Sequence, residues 1–439
     1  MRLHRTAWRW LIEKEARELL ASRSWWVLLV AMGPLVGFAF IGSVRTYAEA
    51  SGLNGTAAGV GEAFSPLIGI WAPTFSACEL AAVFLLPFVA IRLVGGDRLS
   101  GALKLESQQS LPPAARVAAK AVVLLVGWFV ASVPAAVAVV LWRSYGGSIY
   151  GPEVVAVASG HVMNAGLTIA LAAATASMTE HPSTAAILTL SVTVGTWILS
   201  FIAGVHGGIW ERLARYTPTA MVGEFQHGLI RLDVVLASLT LIAVGLGLAA
   251  IWIRLGVPVA RRVGESLTIA AAAAIVLATG AASTTSWDLS ESRANSFPLA
   301  DERALEAIRE PLSIEVHLAP EDPRRVDFDR NVIAKLRRVR PDAHVRYLSA
   351  TSIGLFEQTS AGYGEIWYDV GGRKAVGRAV TAEAALETVY SLAGVTTSPA
   401  DDDDVFRGHP LVTRAPGAAL TFYVIWPALV VSAAVRARG

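Results

Sequence analysis

Gly95–Arg116, GGDRLSGALKLESQQSLPPAAR, decides how the chain is read. It separates two apolar runs, Ala77–Val94 and Val117–Trp142, each long enough to cross a bilayer. Backbone that leaves a helix cannot stay unpaired in hydrocarbon, so the stretch is expected in water. Asp97, Arg98, Lys104, Glu106 and Arg116 charge it, and Pro112-Pro113 ends any helix inside it. Arg92 before it and Lys120 after it add to a positive bias that predicts the cytoplasmic side. The run SGALKLESQQ is helix-prone and offers a compact surface to a soluble partner.

Composition agrees with a membrane protein. Of 439 residues, 54% are hydrophobic and 16% charged, against about 25% charged in an average globular domain. Mean hydropathy is +0.51. A net charge of +2 carries no nucleic-acid footprint. The single cysteine, Cys78, lies in an apolar run and excludes an internal disulfide and a cysteine-based zinc cluster.

Ala7–Ser22 reads as an amphipathic helix. Trp8, Leu11, Ile12, Leu19 and Leu20 take one face; Arg9, Glu13, Lys14, Arg17 and Glu18 take the other. Such a helix just before a span is expected in the interface plane, and no cleavable leader is expected. The first span is expected over Ser24–Val44, with Trp25-Trp26 at the lipid boundary. A Gly-rich loop follows from Arg45 to about Trp71. Further spans are expected near Thr74–Val94, Val117–Trp142, Val154–Met178, Thr184–Gly204, Asp233–Arg254, Leu267–Ser286 and Ala418–Val435. The mixed stretch Val205–Arg231 reads as a re-entrant or interfacial helix pair. The Ala270–Ala274 run is expected to pack closely on other helices. The fold class is therefore an α-helical polytopic membrane protein of about eight spans with a small extracytoplasmic α/β domain. Its divisions are 1–255 (six spans), 256–287 (linker and seventh span), 288–416 (α/β domain) and 417–439 (last span).

With these residues in place, the first 255 resemble the membrane subunit of type-2 ABC exporters. Gly96-Asp97-Arg98-Leu99-Ser100-Gly101 stand where that family usually has Gly-Glu-x-x-x-Gly-Thr; Asp97 for Glu and Ala102 for Thr are departures. The resemblance implies that the N-terminal helix is an elbow helix. It also implies an ATPase-coupling element at Gly96, Asp97, Arg98, Gly101, Lys104 and Glu106, with Glu180-His181 as a minor contact. The implied partners are a P-loop ATPase subunit, which binds the ATP and Mg, and a second permease copy or a related permease. The implied location is the cytoplasmic (inner) membrane, with both termini cytoplasmic.

The later region alternates helix and strand: Ala300–Arg309 helix, Leu312–Leu318 strand, Phe328–Val339 helix, Val345–Leu348 and Gly364–Val370 strands, Thr381–Leu392 helix. Asp288-Leu289-Ser290-Glu291, Ser296-Phe297-Pro298 and Ile308-Arg309-Glu310-Pro311 resemble motifs of the auxiliary component of gliding-motility-type ABC systems. The region is shorter than that family's usual domain. Together the halves look like a permease fused to a short auxiliary-like domain.

Catalysis is not expected. No Gly-x-x-x-x-Gly-Lys-Ser/Thr, His-Glu-x-x-His or Gly-x-Ser-x-Gly occurs, and Gly96–Gly101 is followed by Ala102-Leu103 where a phosphate loop needs Lys-Ser/Thr. Ser159-Gly160-His161 lacks the partners of an intramembrane serine protease. Glu79, His161 and Asn164 fall within apolar runs, where polar groups are expensive, and are candidate pathway residues; the bland alternative is a boundary carboxylate and a bonded imidazole. Glu224, His227 and Asp233 are candidates for an outer vestibule without metal-ligand spacing. The acidic run Asp401–Asp404 reads as a solvated linker, with weak attraction of divalent ions as the alternative. The basic run Arg337-Arg338-Val339-Arg340 reads as a solvated helix face, with acidic headgroups or a partner as the alternative. The alternative to an exporter subunit is a non-transporting scaffold whose outer domain binds a partner.

Overall fold

In the computed structural model, residues 2–50, 65–108, 111–206, 209–283, 285–291, 293–319, 322–348, 362–395 and 414–437 are described. The middle of the expected Gly-rich loop and the Asp401–Asp404 run lie outside them. Among the described residues, eight helices are long and apolar enough to cross a membrane: Arg23–Ala50, Leu67–Ser100, Pro113–Ser144, Gly151–Met178, Pro182–Ala203, Leu232–Trp252, Val259–Gly280 and Ala418–Arg436. They are called spans one to eight. An N-terminal helix, Arg2–Ala21, precedes them. The chain is thus a mostly helical, multi-pass membrane protein.

The main core lies where spans one to four meet. Trp71, Trp128 and Trp142 are fully buried there. Trp142 meets Tyr47 and Trp71 edge-on at centroid distances of 5.6 and 6.2 Å, the arrangement that ring quadrupoles favour. Its indole Nε1 donates to Ser148 O at 2.9 Å. Trp25 and Trp26 also turn inward, contrary to the expected lipid-facing position. The Trp26 Nε1 donates to Leu20 O at 2.7 Å, so the polar edge that would favour an interface is satisfied inside the protein.

Span eight packs on span one through two glycines four residues apart. A Cβ on Gly33 would fall 2.4 Å from the Trp426 ring, and one on Gly37 would fall 2.4 Å from Phe422 Cβ. Small residues at this spacing let two helices approach, and Trp426 Nε1 donates to Leu29 O at 2.7 Å. Gly37→Leu is expected to destabilise this contact by about 1–3 kcal/mol, as overpacking does. The check is a disulfide trap between cysteines introduced on spans one and eight, whose yield should fall in the variant. Span seven departs from the expected close packing. Of the Ala270–Ala274 run only Ala273 is buried. Small side chains permit close approach without enforcing it, and span seven touches its neighbour, span six, along one edge.

Between spans five and six, Val205–Arg231 forms two helices, Ile209–Ala214 and Pro218–Gln226, each too short to cross a bilayer, and strand β1, Leu229–Arg231. Thr217 caps the second helix, its Oγ1 accepting from Ala220 N. Strand β1 pairs antiparallel with β2, Ser286–Asp288, which follows span seven.

Beyond β2 sits a four-stranded sheet in the order β4-β3-β5-β6. Its strands are β3 (Leu312–Val316), β4 (His344–Tyr347), β5 (Ile366–Val370) and β6 (Arg373–Gly377). The β3–β4 pair is parallel and the others antiparallel. Leu312, Ile314 and Val316 alternate inward against the helices over 323–339 and at Ala382–Ala393. Strand β6 was not expected. Its charged RKAVG lacks apolar alternation, and the hairpin signal lies in Gly371-Gly372, both at positive φ, as a two-residue turn requires.

Candidate functional site

The stretch from Gly95 to Arg116 is not an open aqueous loop. Span two continues through Gly96, Asp97 and Arg98 to Ser100, and Gly101 (φ 78°) turns the chain into a short helix, Ala102–Ser107. The left-handed conformation at Gly101 suits glycine, which has no Cβ to clash. Asp97 and Glu106, expected to face water, are 3% and 5% exposed.

Both belong to a buried ion network joining four elements. Lys14 and Glu15 come from the N-terminal helix, Asp97 from the end of span two, Glu106 from the short helix, and Lys120 from the start of span three. The Lys120 ammonium stands 2.6 Å from Glu15 Oε2 and 2.5 Å from Asp97 Oδ2, and donates to Leu93 O at 3.1 Å. The Lys14 ammonium contacts Glu15 Oε1, Glu18 Oε1 and Asp97 Oδ1, each at 3.1 Å, and pairs with Glu106. Burial opposes the charge on Lys14, yet the Glu106, Glu15 and Asp97 carboxylates outweigh it and hold the ammonium above the usual lysine range. Burial pushes the Glu15 carboxyl up against the pull of Lys120.

The Glu15, Asp97 and Glu106 oxygens lie within 4.8 Å of one another, a spacing that a cation can bridge. Two ammonium groups already supply positive charge there, so the arrangement works as a clamp. Arg98 has a separate task. Its guanidinium donates to Thr179 O at 2.9 Å and Trp252 O at 3.4 Å, bonding the carbonyl ends of spans four and six. Gly96 faces a cavity. Of the six expected coupling residues, only Lys104 is fully surface; Leu99 and Leu105, beside it, are 62% and 68% exposed.

Glu15 was missed, although the sequence carries its signal. It falls four residues after Leu11 and four before Leu19, inside the apolar stripe, and is 0% exposed. Lys120 sits in the first turns of an otherwise apolar span and marks the same interior.

The candidate pathway residues are only partly united. His161 stacks on Phe75 at 5.7 Å, and Gln226, which sequence reading missed, donates Nε2 to Ser76 Oγ at 3.2 Å while standing 3.5 Å from His161 Nε2. His161 and Asn164 are buried, with Nδ1 and Nδ2 respectively lacking a hydrogen-bond partner among the described residues. Glu79 is half-buried, and no hydrogen bond among the described residues joins it to either.

No family model, curated protein or solved structure matches this chain.

At the opposite end, Glu224 and Asp233 both pair with Arg231, the latter through two bonds at 3.1 and 2.7 Å. They form an arginine bridge in place of the expected vestibule. Asp288 organises the joint to the sheet-bearing region. Its carboxylate accepts from Ser290 N and Oγ, Asn295 N and Nδ2, and Ser296 Oγ. These donors outweigh its burial and hold its pKa below the usual range. The basic run also departs from a solvated face. Arg338 bonds Ser286, Asn295 and Ser296, and Arg340 is buried against Ile308 O and Glu310 O.

His227 closes the joint: its carbonyl accepts from Asn295 Nδ2 at 2.7 Å and its Nδ1 accepts from Arg330 at 3.0 Å. Burial, with Arg330 beside it, lowers this imidazole to about 4. The unfolded chain therefore takes the proton first as pH falls. The stabilisation is complete above an unperturbed value of about 6.5 and is lost on descending toward about 4. Hydrogen exchange at Leu229–Arg231, corrected for intrinsic rates, should rise across that window, and His227→Asn should reduce the pH dependence.

Proposed function

We propose that the chain is the permease subunit of an ATP-binding-cassette exporter in a bacterial cytoplasmic membrane. A separate P-loop ATPase docks at the end that carries the N-terminal helix and holds the ATP and Mg. The observation that carries this reading is the ion clamp. It fixes the short helix Ala102–Ser107 to the N-terminal helix and to spans two and three, while Leu99, Lys104 and Leu105 remain on the surface. A push on that surface is delivered to several spans as one body. The docking contact therefore moves from Asp97, Arg98 and Glu106 to Leu99, Lys104 and Leu105. Both termini lie on the ATPase side, the sheet-bearing region lies outside, and a second copy or a related permease completes the pathway.

A scaffold reading draws on a different observation, the many-bonded joint at Asp288, which presents the sheet at a fixed attitude. Affinity purification of the mildly solubilised chain separates the two. A stoichiometric chain with ATPase activity in the bound fraction is expected for the exporter subunit, and its absence under conditions that keep complexes intact favours the scaffold.

A further inference from the structure

A cavity of about 690 Å³ opens beside span two, between the end of the N-terminal helix and the start of span five. That volume falls within the roughly 300–1,000 Å³ of small-molecule sites. Its lining is divided. Phe88 and Leu99 give an apolar wall, whereas Arg92, Glu18, Ser22 and Ser24 contribute polar groups. Phe88, Arg92 and Leu99 are spaced four and seven residues apart, so they share one stripe of the helix.

Arg92 lies two residues before the end of the apolar run Ala77–Val94, where span two leaves its apolar stretch, and it is exposed. An arginine at that boundary stands at headgroup level, where its guanidinium pairs well with a phosphate. Among the described residues Arg92 makes no hydrogen bond or ion pair, unlike Arg98 two turns on. Glu18, on the helix that flanks the cavity, is half-exposed and meets Lys14 through Oε1. The Asp97 carboxylate also borders the cavity and is paired with Lys14 and Lys120. The cavity thus offers a cation at the apolar boundary, a carboxylate and hydroxyls nearer the helix end, and an apolar wall at Phe88.

We propose that this cavity holds one aminophospholipid from the leaflet on the side of the N-terminal helix. Its phosphate meets Arg92, its ammonium donates to Glu18 and the serine hydroxyls, and one acyl chain lies along Phe88. The ammonium matters because a choline headgroup has no N–H to donate. The site needs only that the spans cross a bilayer, so it stands whether or not an ATPase docks.

The test is native mass spectrometry of the full chain. Wild type, Arg92→Gln, Glu18→Gln and Gly96→Phe are exchanged with phosphatidylethanolamine, phosphatidylcholine or diacylglycerol of identical acyl chains. Gly96 borders the cavity and a Cβ there meets nothing, so Phe fills the space without displacing the fold. Wild type should retain one phosphatidylethanolamine with at least about tenfold preference over the other two lipids, equivalent to 1.4 kcal/mol. Arg92→Gln and Gly96→Phe should lose that molecule, and Glu18→Gln should reduce phosphatidylethanolamine to the level of phosphatidylcholine. Equal retention of the three lipids, unchanged retention in Arg92→Gln at unchanged melting temperature, or displacement by inorganic phosphate alone would overturn the proposal.

Discussion

Replacing Lys120 by Met should lower the stability of the folded chain by about 3–5 kcal/mol, the cost of removing one partner from a buried ion pair. Lys120 is 1% exposed and stands between Glu15 Oε2 and Asp97 Oδ2, so its removal leaves two buried carboxylates sharing the Lys14 ammonium alone. Glu15→Leu alone should cost less, because the Lys120 ammonium keeps Asp97 as a carboxylate partner. The double variant Glu15→Leu/Lys120→Met should recover at least half of the summed loss. Apolar groups of similar volume replace a charge pair at little cost once both charges are gone. Thermal unfolding in detergent of the four proteins of this cycle gives the coupling directly. Strictly additive losses would mean that the two side chains do not interact and that the clamp is not what joins the N-terminal helix to span three.

A different outcome is expected at the surface of the short helix. Lys104→Glu and Leu105→Glu change exposed positions, so each should shift the melting temperature little, since surface substitutions usually lie within about 0.5 kcal/mol. If an ATPase rests on this surface, Leu105→Glu places a charge in an apolar contact, and recovery of ATPase activity with the purified chain should fall at least about tenfold. Asp97→Arg and Arg98→Glu would be poor substitutes for this test. The first reverses a charge inside the clamp, and the second releases the carbonyls of Thr179 and Trp252, so lost coupling could not be separated from lost folding. An unchanged ATPase recovery in Leu105→Glu would move the contact elsewhere.

The spans were legible because hydrophobic length is a local property. Each of the eight expected runs overlaps an observed span, with ends displaced by up to eight residues, as where span two continues past its apolar stretch to Ser100 and span seven begins at Val259 and stops at Gly280. The inside of the charged segment was not legible in the same way. Charge near a span end argues for water only if no opposite charge arrives from elsewhere. Here Lys14 comes from 83 residues before Asp97, and Glu15 meets Lys120 across 105 residues. The interruption of the Leu11–Leu19 stripe by Glu15 was the local clue to that meeting. The same logic applies to Arg338 and Arg340. A basic run reads as solvated surface until backbone carbonyls from another segment arrive to meet it.

The most direct measurement is a photo-crosslink in native membranes with a photoreactive amino acid placed at Leu105. A coupling surface predicts one dominant adduct, with a P-loop ATPase identified by mass spectrometry, and loss of that adduct when Lys104→Glu is added. Adducts only within the chain itself, or with proteins that bind no nucleotide, would contradict the permease assignment.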